Sequence, residues 1–216
     1  MSTAASPAGV PPAYGGGRLL LITIALILGP LVQVFDTATV SIALRHMQGE
    51  LSATQDQIAW VITSYLITLT VFTPVWGVLG GMFGRKRLIL ICIAGFTSSA
   101  MLAGHSMSLS EILVWRAVQG FFGSALLPLG MSSLLTIYPR EKLGIAMAWW
   151  GVGMMFGPVF GPTIGGYVTE YLTWRWAFYI NLPIGVTAFL MTAFLVPRTG
   201  VRTFRKFNYY GFVTLG

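Results

Sequence analysis

The sequence predicts an all-α integral membrane protein, with a bundle of six transmembrane helices followed by the start of a seventh. Three observations predict this fold class: the composition, the length of the apolar runs and the placement of the basic residues. Hydrophobic residues make up 55% of the 216 residues and charged residues 9%, whereas a typical soluble domain has about 25% charged residues. So few charges could not cover a water-exposed surface, and we expect lipid to surround most of the chain.

Six apolar runs have about the length of a spanning helix, which needs about 20 mostly apolar residues. They do not alternate between apolar and polar residues, which favours helices over the strands of a membrane barrel. A seventh run opens at Tyr209 and stops at Gly216, too early to cross a bilayer. We therefore expect either a truncated product or a piece of a longer protein. The six runs cover residues 19–44, 58–79, 88–103, 112–137, 143–168 and 176–196.

The basic residues of the connections fall mainly on one side of the predicted bundle. By the positive-inside rule that side is cytoplasmic, so both ends of the six-helix bundle are predicted to be cytoplasmic. Residues 1–18 are expected to form a disordered cytoplasmic tail, and residues 198–216 a basic linker with the start of the next helix. These loops account for the net charge of +7 without nucleic-acid binding. The cytoplasmic set comprises Arg18, Arg85, Lys86, Arg87, Arg140, Lys142, Arg198, Arg202, Arg205 and Lys206, and the opposite set Arg45 and Arg175.

Asp36 and Arg116 are the two charged residues inside the six runs. A carboxylate in hydrocarbon is costly, so Asp36 is expected to pair, to face a wet cavity or to take up a proton. A purely structural carboxylate is the alternative. At a rise of 1.5 Å per residue, Arg116 lies at a similar depth, so the two could meet, or share a proton-dependent network with Gln119. Depth equally allows Arg116 to reach the membrane surface near Glu111, and both arrangements stay open.

The fifth run carries four glycines spaced four residues apart. This spacing forms one ridge of small residues that lets another helix backbone approach closely. Two prolines in the same run each remove a backbone donor and are expected to bend the helix. Such a helix could act as a gate, and a plain packing face is the alternative. The glycines are Gly153, Gly157, Gly161 and Gly165, with Gly166 beside them, and the prolines are Pro158 and Pro162.

Residues 77–87, between the second and third runs, contain Gly77, Gly84, Arg85 and Lys86. The glycines allow a tight turn, and the basic residues hold the segment on the cytoplasmic side. We therefore expect a short loop there. It is not a phosphate-binding loop, because no strand precedes it and the lysine-hydroxyl ending is missing.

The sequence offers no catalytic or metal-binding cluster. Its two histidines, His46 and His105, lie near the predicted external ends of helices, and its single cysteine, Cys92, lies inside an apolar run. One thiol can form neither an internal disulfide nor a metal site, so we expect Cys92 to be a small core residue. We expect no enzymatic activity and no metal.

Five segments together resemble the major facilitator superfamily, and more narrowly its fourteen-helix drug:proton antiporters of the EmrB/QacA type. The resemblance covers residues 19–216 and implies the six-helix N-terminal bundle of a transporter that binds substrate between two such bundles. In that family the fourth-helix arginine is implicated in proton coupling, and the fifth-helix signature is the most discriminating. The segments are residues 36–44, 77–87, 153–166 and 174–185, and the fourth-helix set of Arg116, Gln119, Gly120 and Gly123.

The chain departs from the family pattern at three positions. Gly81 and Met82 stand where the loop signature usually has Asp and Arg, which puts the usual charge relay of that loop in doubt. Arg45 stands where the first-helix signature often ends in proline. Neither Asp36 nor Arg116 is affected.

The resemblance implies proton-coupled efflux of drugs or other small amphipathic molecules across the bacterial cytoplasmic (inner) membrane. The proton gradient would drive it without a cofactor. Asp36 and Arg116 would couple to protons, and Gln119, Gly120 and Gly123 with the fifth-helix antiporter motif would shape the transport path. Gly77, Gly84, Arg85 and Lys86 would form a gating loop. The expected partners are a small-molecule substrate, the lipid bilayer, the C-terminal half of the same transporter and, by family analogy, a periplasmic adaptor protein. The alternatives are a truncated half-transporter that pairs with a partner half, and an intramembrane enzyme.

Overall fold

The computed structural model describes residues 16–197, which form a helical bundle without any strand in that range. The predicted tail before residue 16 and the predicted linker with its seventh helix after residue 197 lie outside the described residues. A 3₁₀ turn at Arg140–Lys142 precedes the sixth helix. The helices are α1 (Gly16–Glu50), α2 (Gln55–Phe83), α3 (Arg85–His105), α4 (Leu109–Gly123), α5 (Leu126–Ile137), α6 (Leu143–Tyr171), α7 (Trp176–Tyr179) and α8 (Asn181–Leu195).

Six stretches within residues 16–197 are long and apolar enough to cross a membrane, one for each predicted run. The chain is therefore a multi-pass membrane protein, and the predicted all-α fold class is confirmed. The first span is longer than its run, because α1 begins at Gly16, inside the predicted tail, and continues to Glu50. Extending an existing helix costs far less than nucleating one, so the helix continues into polar residues at both ends.

Two of the six spans are interrupted, and a proline lies in the first turn after each break. The fourth span divides into α4 and α5, and the sixth into α7 and α8. Pro128 has no N–H to donate to the carbonyl of Ser124, and Pro183 has none for the carbonyl of Tyr179. Because a proline is tolerated in the first turn of a helix, the chain starts a new helix after each break.

The predicted loop over residues 77–87 is mostly helical, and Gly84 alone separates α2 from α3. Gly84 has a φ of +88°, a conformation that L side chains rarely adopt. The expectation of a tight glycine turn is therefore right at Gly84 and wrong for residues 80–83 and 85–87, whereas residues 77–79 are helical as the second run predicted. A helix satisfies its own backbone donors and acceptors, which favours its continuation through Gly77 in apolar surroundings.

The apolar core consists of two clusters, which lie toward opposite ends of the bundle. The larger includes Leu26, Phe96 and Cys92, all buried, so the cysteine is a core residue as predicted. The smaller includes Met47 and Trp174. Helix α1 packs most extensively against α6 and also contacts α2, α5, α7 and α8. It therefore runs through the middle of the bundle, and its polar residues meet several helices.

Candidate functional site

Asp36 of α1 and Arg116 of α4 form a buried ion pair. Arg116 Nη1 donates to Asp36 Oδ2 at 2.6 Å, and both side chains are 0% exposed. Of the two arrangements that depth left open, the structure has the one in which these residues meet. Glu111 is instead exposed and accepts a hydrogen bond from the backbone N–H of Met107.

Gln119, one turn along α4 from Arg116, forms hydrogen bonds with both charged side chains. Its Nε2 donates to Asp36 Oδ1 at 3.0 Å, and its Oε1 accepts from Arg116 Nη1 at 2.8 Å. The spacing of three residues places Arg116 and Gln119 on one face of the helix. Arg116 Nε also donates to the backbone carbonyl of Val61 in α2 at 3.2 Å. Arg116, Gln119 and Asp36 thus form one network, in which each buried charge has more than one partner, while Arg116 Nη2 is buried and has no hydrogen-bond partner among the described residues.

Asn181, the first residue of α8, is a third partner of Asp36 that the sequence reasoning missed. Its Nδ2 donates to Asp36 Oδ1 at 2.6 Å, and the side chain is 0% exposed. The residue lies in the segment 174–185 that carried the family resemblance, but no role was predicted for it. The available signal was a single amide within an apolar run, where an unpaired polar group would be costly.

Two aromatic rings face the guanidinium group of Arg116. Its Cζ lies 4.3 Å from the ring centroid of Tyr65 in α2 and 5.7 Å from that of Phe178 in α7. Cations are attracted to the faces of aromatic rings at such distances. Both rings are fully buried. Neither residue was predicted, because nothing in the sequence separates these rings from the other aromatic residues of the apolar runs.

A pocket of about 340 Å³ lies beside the ion pair. Gln33, Thr37 and Ser41 recur every four residues on α1 and supply polar groups to it. Tyr65 lines the pocket and also faces Arg116, so its ring lies between the pocket and the ion pair. The remaining lining residues are Val34, Ala38, Leu66, Leu69 and Pro158.

The predicted glycine ridge of α6 packs against α1. A Cβ added at Gly157 would lie 2.8 Å from a methyl group of Val34, and one at Gly161 would lie 2.6 Å from the Cβ of Ala38. The same kind of contact occurs at both ends of the ridge. The ridge therefore brings α6 close to the part of α1 that carries Asp36. The end contacts are Gly153 with Ile27 and Gly165 with Thr39.

The other members of the fifth-helix motif lie off this contact. A Cβ added at Gly166 would meet nothing within 4 Å, and Pro158 and Pro162 are exposed. Both prolines lie inside α6 without interrupting it. The bend expected from them stays a prediction.

The sequence pattern of the Major Facilitator Superfamily matches residues 26–208, which is most of the chain. The chain belongs to the major facilitator superfamily. Solved transporters of similar fold include a D-xylose–proton symporter (TM-score 0.73, 16% identity, 84% of this chain and 49% of that chain). Another is a bacterial homologue of the human lysosomal transporter Spinster (TM-score 0.68, 16% identity, 91% of this chain and 47% of that chain). At such identity these structures show the shared fold.

Curated relatives of this superfamily member include multidrug exporters, which confirms the similarity stated from the motifs. The multidrug export protein EmrB of Haemophilus influenzae is 37% identical over 181 residues, which cover 84% of this chain and 36% of that protein. EmrB of Escherichia coli K12 is 35% identical over 191 residues, with 88% and 37% covered. The fatty acid resistance protein FarB of Neisseria gonorrhoeae is 34% identical over 181 residues, with 84% and 36% covered. The chain thus spans little more than a third of the length of these relatives.

Gly120 and Gly123, predicted to shape the transport path, do not line the pocket. A Cβ added at Gly120 would lie 2.4 Å from the backbone oxygen of Tyr65, and one at Gly123 would lie 3.4 Å from the Tyr65 hydroxyl. Gly120 therefore allows α2 and α4 to approach closely, whereas a Cβ added at Gly123 would come closest to the ring of Phe96 in α3, at 3.2 Å. Both glycines thus lie at helix contacts, and a role in a transport path stays a prediction.

The predicted gating segment of this family member holds α3 to two other helices. Arg85 Nη1 donates to Thr136 Oγ1 at 2.5 Å, and Lys86 Nζ donates to the backbone oxygen of Ala193 at 2.7 Å. No atom lies within 4 Å of a Cβ added at Gly77. Gly81 and Met82 lie in the last turn of α2, and Met82 is exposed. A gating role for the segment stays a prediction.

Proposed function

We propose that the chain is the N-terminal part of a proton-coupled exporter of drugs or other small amphipathic molecules. The observation that carries the proposal is the buried cluster of Asp36, Arg116 and Gln119 beside a pocket lined by polar groups of α1. The similarity to proteins named for multidrug export and for fatty acid resistance supports the substrate class. The proposal needs no bound cofactor, because the proton gradient supplies the energy.

Asp36 is the proposed proton-binding group. Protonation neutralises the carboxylate, and Arg116 then keeps the Gln119 amide oxygen, the Val61 carbonyl and the Tyr65 ring as partners. Charges interact more strongly in a buried site than in water. Removing one partner of a buried ion pair typically costs about 3–5 kcal/mol. The protonated and charged states therefore differ enough in energy to favour different packing of α1 against α4.

Tyr65 is the proposed link between proton binding and the transport path. Its ring faces Arg116 on one side and lines the pocket on the other. A shift of the guanidinium group after protonation of Asp36 would therefore move the wall of the pocket. A ligand shifts a conformational equilibrium only by binding one state more tightly than the other. Substrate and proton would therefore favour opposite positions of this pocket wall.

The pocket suits an amphipathic molecule. Its lining combines the polar residues Gln33, Thr37 and Ser41 and the ring of Tyr65 with aliphatic side chains. In a transporter built from two bundles, the substrate site lies between them. The C-terminal half of the same transporter would supply the opposite wall, and a small-molecule substrate would bind between the two.

The proposed location is the bacterial cytoplasmic membrane, with both ends of the six-helix bundle on the cytoplasmic side. The bias of Lys and Arg toward one set of connections supports this topology. A periplasmic adaptor protein is a proposed partner by family analogy alone.

The substitution Asp36→Asn tests the proposal. It removes the charge and the proton-binding site while keeping the size of the side chain. In inverted membrane vesicles made from cells that express the complete native reading frame, we expect loss of proton release on addition of ethidium, an amphipathic dye. Efflux of ethidium from whole cells should fall to the level of cells without the protein.

The matched control is Asp56→Asn. Asp56 is exposed in the first turn of α2, so the same chemical change is made away from the cluster. Immunoblots of the membranes should show equal amounts of both variants. Efflux by a well-expressed Asp36→Asn variant at the level of the Asp56→Asn control would remove Asp36 from the mechanism.

A further inference from the structure

The carboxylate of Asp36 accepts hydrogen bonds from three donors, an arrangement that suits its charged form. Arg116 Nη1 donates to Oδ2, while Gln119 Nε2 and Asn181 Nδ2 both donate to Oδ1. A protonated carboxyl group has a different requirement, because its O–H needs an acceptor. A buried group that takes up a proton therefore needs a neighbour that can serve both forms.

Asn181 has such an unused acceptor. Its Oδ1 is buried and has no hydrogen-bond partner among the described residues. The other amide oxygen of the cluster, Gln119 Oε1, already accepts from Arg116. A primary amide can donate to one oxygen of a carboxylic acid and accept from the other, and a rotation of the Asn181 side chain would let its Oδ1 receive the new O–H.

We propose that Asn181 is a positioning residue that hydrogen-bonds Asp36 in both of its protonation states. In the charged state Asn181 Nδ2 donates to the carboxylate, as observed. When a proton arrives from the aqueous phase, the new O–H of Asp36 donates to Asn181 Oδ1, and Arg116 loses its ionic partner. The inference rests on the proposed role of Asp36 as the proton-binding group, and it adds the residue that makes the neutral form acceptable in a buried site.

The segment that precedes Asn181 is anchored to the far end of α1. Trp174 Nε1 donates to Glu50 Oε2 at 2.7 Å, and Arg175 Nη1 forms an ion pair with Glu50. The buried ring of Phe178, in the same segment, faces Arg116. The chain from Trp174 to Asn181 therefore contacts both members of the buried pair, and it is tied at its start to the helix that carries Asp36. This arrangement fixes the register of Asn181 against Asp36.

The charged and titratable groups that face Asp36 come from two helices. Arg116 faces it from α4, and Tyr65 from α2. Among the residues described, α6 presents glycines to this part of α1, α7 presents the ring of Phe178, and α8 presents the amide of Asn181. Asn181 is thus the uncharged hydrogen-bonding partner that α8 contributes.

Infrared difference spectroscopy between high and low pH tests the inference on the protein purified from its complete native reading frame and placed in lipid. The carbonyl band of protonated Asp36 is identified as the band that Asp36→Asn removes. In Asn181→Leu we expect this band at a higher wavenumber, because the acid loses both its amide donor and its amide acceptor. A merely structural role of Asn181 would change the amount of folded protein without moving this band.

The matched control is Thr192→Val. Thr192 is a buried polar residue of the same helix, and its hydroxyl donates to the backbone oxygen of Ala25 in α1, away from Asp36. This variant should leave the Asp36 band at its wild-type position. If Asn181→Leu does not accumulate in membranes, Asn181→Ser is used, since its short hydroxyl cannot bond both oxygens of Asp36 and should move the band in the same direction.

The outcomes separate this inference from the proposed function. An Asp36 band that stays in place in Asn181→Leu or Asn181→Ser overturns the role of Asn181 and leaves proton coupling intact. A wild-type spectrum without any Asp36 acid band would overturn the proton role of Asp36 itself. If neither variant accumulates, asparagine labelled with ¹³C at its amide carbonyl provides the readout in the wild-type protein, and an amide band unchanged by Asp36 protonation overturns the inference.

Discussion

Two arginine–carboxylate pairs occur in the described part of this membrane protein, and their surroundings differ. Arg116 and Asp36 are both 0% exposed, whereas Arg175 is 23% and Glu50 48% exposed. The buried pair lies between helices in the middle of the bundle. The pair of Arg175 and Glu50, called the rim pair here, lies at the end of α1, where the connection between α6 and α7 contacts that helix. The same two functional groups are therefore expected to have very different consequences for stability and function.

The difference lies in what replaces water around each charge. Asp36 accepts from an arginine and two amides, all from the protein. Glu50 accepts from Trp174 and Arg175 and keeps half of its surface open to solvent. A charge without solvent depends on every partner, whereas water can replace a lost partner at the rim. The buried pair is thus suited to respond to a single proton, and the rim pair to hold a connection in place.

The largest expected effect comes from breaking the buried pair on one side. Arg116→Leu leaves Asp36 buried without its ionic partner, so we expect a loss of about 3–5 kcal/mol in the free energy of unfolding. The double variant Asp36→Asn with Arg116→Leu removes both charges and should recover most of that loss. Thermal unfolding of the purified protein in detergent measures both. Equal destabilisation by the single and the double variant would mean that packing of the arginine stem, and not its charge, stabilises this site.

The sequence indicated that Asp36 and Arg116 lie at a similar depth, because depth in the membrane follows from residue counting along a helix, but it left open whether the two residues meet. It could not predict that Asn181 joins the pair, because Asn181 and Asp36 are far apart in the chain and their contact depends on how helices pack side by side. Residues 80–83 and 85–87 were wrongly predicted to be a loop, since glycines signal turns in water but are tolerated inside helices that meet lipid. The breaks next to Pro128 and Pro183 do not follow from the missing N–H alone, because Pro158 and Pro162 lack it too and leave α6 uninterrupted.

The glycine ridge of α6 was predicted more completely than the hydrogen-bonded cluster around Asp36. A repeat of four residues defines one face of a helix whatever its partner, so the ridge could be recognised from spacing alone. The partner of the ridge is α1, and neither this choice nor the contact of Gly161 with Ala38 follows from the spacing. Periodicity along one helix is thus predictable, while the identity of the neighbouring helix needs the structure.

An intermediate effect is expected at the rim from Trp174→Phe. Trp174 is buried, and its indole N–H is the donor to Glu50. The substitution removes this hydrogen bond and leaves a small void, which together should cost about 1–2 kcal/mol in the free energy of unfolding. The same thermal unfolding measurement checks it. A loss as large as that of Arg116→Leu would show that the smaller core cluster, which contains Trp174, limits the stability of the bundle, and not the buried pair.

The smallest expected effect is that of Glu50→Gln. The amide keeps an acceptor for Trp174 and loses only the charge that faces Arg175, which is partly exposed. Exposed ion pairs contribute between 0 and about 1 kcal/mol, and salt screens them, so we expect a loss below about 1 kcal/mol that becomes smaller at high salt. Unfolding midpoints of Glu50→Gln and the wild type, measured at low and high salt, check both parts. A loss that does not change with salt would indicate that Glu50 acts through its hydrogen bonds, and the contrast between the two pairs would then be one of geometry and not of solvent exposure.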